Sequence, residues 1–218
     1  MENYNIEEKI TVNQNIQIFL LNLKKNVDNI DYSIIPISQI KKISSYTNIK
    51  DLNKKLLARS FLFQFLYKNY GFENFDVKFN QYKKPYFSQK NKEIQFSFSY
   101  SKEYILIAIS SYKDIGVDIE YIDPYLAIEE MCSDEIFCQS ELVEINLLNN
   151  PIKKRKKFFQ IFSAKESLIK AFGEGFYFKA NTLDTINNKF YLYKDSKFYY
   201  KNLGIWQNNY SIAASYKL

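Results

Sequence analysis

The chain has 218 residues, enough for one large domain or two small ones with a buried core, and 46% hydrophobic with 25% charged content excludes a disordered chain. Histidine is absent, which excludes Ser-His-Asp and Cys-His catalysis and HExxH zinc sites, and 5 glycines leave almost no material for a Gly-rich phosphate loop. A net charge of +6 and a pI of about 9.0 favour an anionic partner such as nucleic acid, a phosphorylated cofactor or an acidic protein.

The amino terminus, MENYNIEEKITVN, is acidic and polar, without the basic stretch and apolar core of a signal peptide. The run 15–23 (NIQIFLLNL) alternates and predicts a first strand, closed by the polar segment 24–31. Residues 38–46 predict a short helix, and 51–70 a longer one with apolar residues at helical spacing and Gly71 as its cap. Short strands are predicted over 76–79 and 93–99 around the turn-like QYKKPYFSQKN, then a buried strand over 104–109 (YILIAI). IGVDIE, 115–120, is a further strand, followed by helical patterns over 124–132 and 140–148. Pro151 and the basic run Lys153 to Lys157 precede a helix from about Phe158 to Phe172, stopped by GEG. Strands are predicted over 182–186, 189–193, 196–200 and the closing NYSIAASYKL. Each half ends in a Tyr-led, Ala-containing strand, YILIAIS from Tyr104 and YSIAASY from Tyr210, which points to a duplicated α+β unit.

Cys132 and Cys138 are too few for a disulfide scaffold and lack CxxC spacing, and no apolar run approaches the ~18–20 residues of a membrane span. A soluble, cytoplasmic protein is expected, with no membrane partner.

Three features are out of place. On a helical wheel at about 100° per residue, Phe158, Ile161, Phe162, Leu168, Ile169 and Phe172 share one apolar arc, and Lys165 falls inside it. An ammonium there must either snorkel to water or meet a negative partner. Glu166 and Lys170 lie one turn apart on the rim of that face, as a solvated pair or as part of a site. Asp118 and Glu120, two apart on a strand, leave by one face with Cα atoms roughly 6.6 Å apart. They form either a polar face in solvent or a hard-cation site, for which Mg²⁺ is suited. The basic run Lys153 to Lys157 is either a solvated face or a nucleic-acid contact. No RNP-like aromatic pattern accompanies it.

IGVDIE and, 41 residues on, FSAKESLIKAFGEGF together resemble the two signature motifs of the 4'-phosphopantetheinyl transferase superfamily. The length and duplicated halves resemble its two-lobed Sfp type. ARSFLFQFLYK with Arg59, YKKPYF with Lys84 and Pro85, and FCQSE with Glu141 resemble further family elements. The resemblance implies an α+β fold with a pseudo-two-fold duplication of two similar lobes. Residues 1–112 would carry the coenzyme A nucleotide contacts and 113–218 the metal and catalytic motifs, with coenzyme A in a cleft between them.

The implied reaction is Mg²⁺-dependent transfer of 4'-phosphopantetheine from coenzyme A to a serine of an apo acyl or peptidyl carrier protein, releasing 3',5'-ADP. By the same resemblance Asp118, Glu120 and Glu166 hold the metal. Lys165 and Lys170 lie at the phosphates, with Glu166, Lys165 and Lys170 as the catalytic set, and Arg59 and Lys84 grip the nucleotide. Ser99 matches the family's N-L-S-H element, while Tyr100 stands in place of its histidine and brings a hydrogen bond without a positive charge, which bears on coenzyme A affinity. Lys83 replaces the glycine before Lys84 and Pro85. The proton of the attacking serine would pass to a carboxylate such as Glu166 or to a metal-bound water. Two-lobed relatives imply a monomer. The alternatives are a catalytically impaired relative that only binds coenzyme A or carrier protein, and a basic nucleic-acid-binding module.

Overall fold

Two antiparallel sheets, each carrying one 22-residue helix, organise the computed structural model, which describes residues 3–73, 75, 77–89, 92–111 and 113–218. The chain divides into two compact units, residues 3–78 with 85–111, and residues 79–84 with 113–218.

The first unit contains β1 (Ile6–Asn13), β2 (Ile16–Asn22), α1 (Leu23–Asn26), α2 (Ile37–Ile43) and α3 (Ile49–Tyr70). It continues with β3 (Val77–Phe79), β4 (Pro85–Gln89), β5 (Lys92–Ser101) and β6 (Tyr104–Ser111), in a sheet of order β1-β2-β6-β5-β4-β3. Helix α3 starts where the Asn48 side chain accepts the N–H groups of Lys50 and Asp51. It stops at Gly71, whose φ of 66° a residue with a Cβ adopts at a cost. Its apolar stripe lays Phe61 and Phe65 on Phe19 of β2, ring centroids 5.0 and 5.4 Å apart, within a core that also holds Leu57, Phe63, Phe87 and Ile107.

The second unit contains β7 (Ile115–Tyr121), α4 (Ile128–Met131), α5 (Gln139–Asn146), α6 (Pro151–Phe172), β8 (Phe190–Tyr193), β9 (Ser196–Trp206) and β10 (Tyr210–Lys217), with sheet order β7-β10-β9-β8. Helix α6 repeats the device of α3. Asn150 caps its start by accepting from Ile152 and Lys153, and Gly173 closes it at φ 76°. The two Tyr-led strands, β6 and β10, are both interior strands of their sheets.

Four sequence expectations change. Strand β1 occupies the polar amino terminus. Among the described residues it pairs with β2 and buries no side chain fully, and its exposed Glu8 and Lys9 hide the alternation. Strand β4 lies within the stretch read as a turn, while Asp76, Lys90 and Asn91 lie outside the described residues. Helix α6 begins at Pro151, not Phe158, because proline suits the first helical position behind an Asn cap; the basic run is therefore its opening turns. The predicted strand over 182–186 is a 3₁₀ turn (Ala180–Thr182) followed by a turn in which Asp184 Oδ1 accepts the N–H groups of Ile186 (3.2 Å) and Asn187 (3.0 Å).

The register of β7 on β10 decides what faces α6. Gly116 pairs with Ser215, Asp118 with Ala213 and Glu120 with Ser211, so these six share one face of the sheet. Ser163 Oγ and Ser211 Oγ lie 2.6 Å apart, as do Ser167 Oγ and Ser215 Oγ, so small hydroxyl pairs join α6 to β10 at two places one helical turn apart. At Gly116 the helix comes closer still: a Cβ there would lie 2.0 Å from Ser167 O and 2.4 Å from Ala171 N. Both contacts are backbone, so only glycine permits this approach.

Candidate active site

The close seat of α6 on β7 brings together the acids that the sequence places 46 to 48 residues apart, Asp118, Glu120 and Glu166, with Lys170 among them. Lys170 Nζ lies 2.6 Å from Asp118 Oδ1, the carboxylate side chain 2% exposed and the lysine 30%. Burial pushes the Glu120 carboxyl up to about 8, with the charges of Asp118 and Glu166 adding to it against Lys170. Burial also raises Glu166, helped by Asp118 and opposed by Lys170. For Lys170 burial alone would lower the pKa, but Asp118, Glu166 and Glu120 together hold it above its ordinary value. On the other side of β7, Val117 and Ile119 are fully buried and fix the strand's orientation.

The negative partner that Lys165 requires is inside the protein. Its Nζ lies 2.6 Å from Glu141 Oε2 and donates to Ala180 O (2.9 Å) and Leu183 O (2.5 Å); the two side chains are 1% and 0% exposed. Glu141 also accepts from the N–H of Cys138, closing a capping box on α5, and from the N–H and Oγ1 of Thr185. Cys138, Glu141 and Asp184 bring ligand atoms within 4.8 Å of one another, but the Lys165 ammonium already occupies that carboxylate. The sequence offered the want of an anion at Lys165 and the FCQSE likeness at Glu141, but nothing in it joined the two.

Lys84 is also committed within its unit. Its Nζ donates to Ala171 O (2.9 Å), satisfying a carbonyl at the end of α6, and lies 3.5 Å from Asp114 Oδ1; burial lowers its pKa against that carboxylate. The preceding Lys83 keeps the left-handed backbone suited to glycine, φ 67°, and Pro85 opens β4.

In the first unit, Arg59 Nη1 donates to Tyr100 Oη (3.0 Å) and its guanidinium lies 4.6 Å from the Phe98 ring centroid. Lys55, which the sequence reading did not single out, sits 4.5 Å from the ring centroids of both Tyr46 and Tyr100. Strand alternation sends Ser99 to the opposite face of β5 from Phe98 and Tyr100. In the basic run, Lys154 pairs with Glu129 (3.7 Å), Lys157 with Glu144 (3.3 Å), and Arg155 donates to Leu126 O. Internal contacts thus engage three of its five residues. Among the described residues no helix is long and apolar enough to cross a membrane.

As a cation site the second unit's acids fit a hard divalent ion. Asp118, Glu120 and Glu166 offer oxygen donors only, and the mutual repulsion that adds to burial in raising Glu120 and Glu166 is what such an ion relieves. Magnesium needs few protein carboxylates and completes its shell with water and phosphate.

Residues 114–215 match the family model of the 4'-phosphopantetheinyl transferase superfamily. The chain is 29% identical over 158 residues to the 4'-phosphopantetheinyl transferase gsp of Aneurinibacillus migulanus, a match covering 70% of this chain and 62% of that protein. It is 30% identical over 109 residues to the 4'-phosphopantetheinyl transferase HetI of Nostoc sp., covering 48% of this chain and 45% of that protein. These matches therefore span less than two thirds of either relative. The family match contains Asp118, Glu120, Glu141, Lys165, Glu166 and Lys170, while Arg59, Lys84, Pro85, Ser99 and Tyr100 lie outside it.

Proposed function

We propose, from the match of residues 114–215 to the 4'-phosphopantetheinyl transferase superfamily, that this chain transfers 4'-phosphopantetheine from coenzyme A to a serine of an apo acyl or peptidyl carrier protein, releasing 3',5'-ADP. The observation that carries this reading is the grouping of Asp118, Glu120 and Glu166 around Lys170 on the α6-facing side of β7. Those three carboxylates would hold Mg²⁺. The ion, when bound, would neutralise charge on the pyrophosphate oxygens as the bond to the leaving group breaks.

The chain's own residues do the rest. The serine oxygen forms a bond to the pantetheine-side phosphorus, and the bond from that phosphorus to the oxygen of 3',5'-ADP breaks. The serine proton passes to a carboxylate, the role proposed for Glu166. Lys170, partly exposed and held charged by its acidic neighbours, meets the developing negative charge. In the first unit Arg59, with Tyr100 as a neutral donor, is the proposed contact for a phosphate of the nucleotide. With its ammonium on Ala171 O, Lys84 is assigned to shaping the end of α6. Positive net charge suits an acidic carrier.

Incubating the chain with coenzyme A, Mg²⁺ and apo carriers of fatty-acid and peptide-synthetase type, then weighing each carrier by mass spectrometry, tests the reading. A carrier gaining one phosphopantetheine supports it. No gain on any carrier removes it.

A further inference from the structure

Lys165 and Glu141 form a joint with no spare bonding capacity. A lysine ammonium has three N–H donors, and here they go to Glu141 Oε2, Ala180 O and Leu183 O. The Glu141 carboxylate accepts four bonds, from Lys165, the Cys138 N–H, and the N–H and hydroxyl of Thr185. Neither side chain reaches solvent, so a phosphate would have to displace a bond already made in a buried place.

The joint connects three elements: α5 through its own capping box, α6 through Lys165, and the segment 180–188 through Ala180, Leu183 and Thr185. That segment is pinned further where Tyr200 Oη donates to Thr185 O, Tyr191 Oη donates to Asp184 O (2.6 Å) and Ser140 Oγ donates to Asp184 Oδ2 (2.9 Å). Lys165 and Glu166 are neighbours on α6, about 100° apart around its axis. Fixing the lysine against Glu141 therefore sets the angle at which Glu166 leaves the helix, about 100° further round.

We infer that Lys165 is a positioning residue, acting with Glu141 to set the rotation of α6 and so the direction of Glu166 and Lys170, and that it does not contact the phosphates. This rests on the transfer reading only for its activity arm. Lys165→Met strands an uncompensated buried carboxylate, so it lowers the melting temperature, speeds hydrogen exchange across 180–188 and lowers kcat at least tenfold. The decisive variant is the double replacement Glu141→Gln with Lys165→Met, which removes both charges together. It recovers most of the melting temperature and of kcat, with the KM for coenzyme A unchanged from wild type.

A double variant that recovers its melting temperature but stays inactive, with a raised KM for coenzyme A, makes Lys165 a phosphate ligand and overturns the inference. A double variant no more stable than Lys165→Met overturns the joint itself. The thermal and exchange arms need no turnover, so a chain that transfers nothing to any carrier would sink the transfer reading and leave the joint to be judged on them.

Discussion

Glu120 shows burial and charge working in the same direction on one carboxyl. Its pKa of about 8 lies well above the ~4.3 of an unfolded glutamate. Between those values the folded chain holds a proton that the unfolded chain has lost. Stability is therefore fullest at the acid end of the window and falls as pH rises through it. A divalent ion binds the ionised carboxylate and offsets this loss. In chelator, the melting temperature is expected to decline from about pH 5.5 to pH 8, through the Glu120 window, with Mg²⁺ raising it more at pH 8 than at pH 5.5. A magnesium shift that is equal at both values, or larger in acid, would contradict the metal assignment.

At the scale of elements, the site depends on how near α6 comes to β7, and Gly116 sets that distance. Gly116→Ala puts a methyl carbon 2.0 Å from a helix carbonyl that cannot rotate away, so α6 must move as a whole. Overpacking of this kind costs about 3 kcal/mol. The expected result is a lower midpoint in denaturant together with transfer activity reduced far beyond the loss of folded protein. Full activity in the folded fraction would show that the helix-to-strand distance does not matter.

Much of this element plan was legible in the chain. The periodicity of 51–70 and the flanking Asn48 and Gly71 encode α3 locally, and IGVDIE alternates as β7 does. Asp118 and Glu120 could be read as a candidate pair from residue type and facing direction, while Glu166 joined them only through the family resemblance. The rest depends on partners distant in sequence. Lys165 announces that it lacks an anion, but Glu141, 24 residues earlier, is identified only once α5 packs on α6. Lys84 reads as a free cation until the end of α6 supplies a carbonyl for it. In 182–186, apolar and β-branched residues mimic a strand, while Asp184 turns the backbone by accepting from the next two residues but one and two.

For the whole molecule, each unit repeats one plan: an Asn-capped, Gly-closed helix of 22 residues laid on an antiparallel sheet whose interior includes a Tyr-led strand. The two similar strands seen in the sequence are thus both interior, the third of six in one sheet and the second of four in the other. The second unit carries the residues of the family match, and its function turns on whether three carboxylates serve one ion. Calorimetric titration of Mg²⁺ into the chain with coenzyme A present, and into the variants Asp118→Asn, Glu120→Gln and Glu166→Gln, tests this most directly. The account predicts one ion per chain in the wild type. It also predicts affinity at least about tenfold weaker in each variant, since even an outer partner of a metal site is worth that much. Equal binding by all four proteins would contradict it.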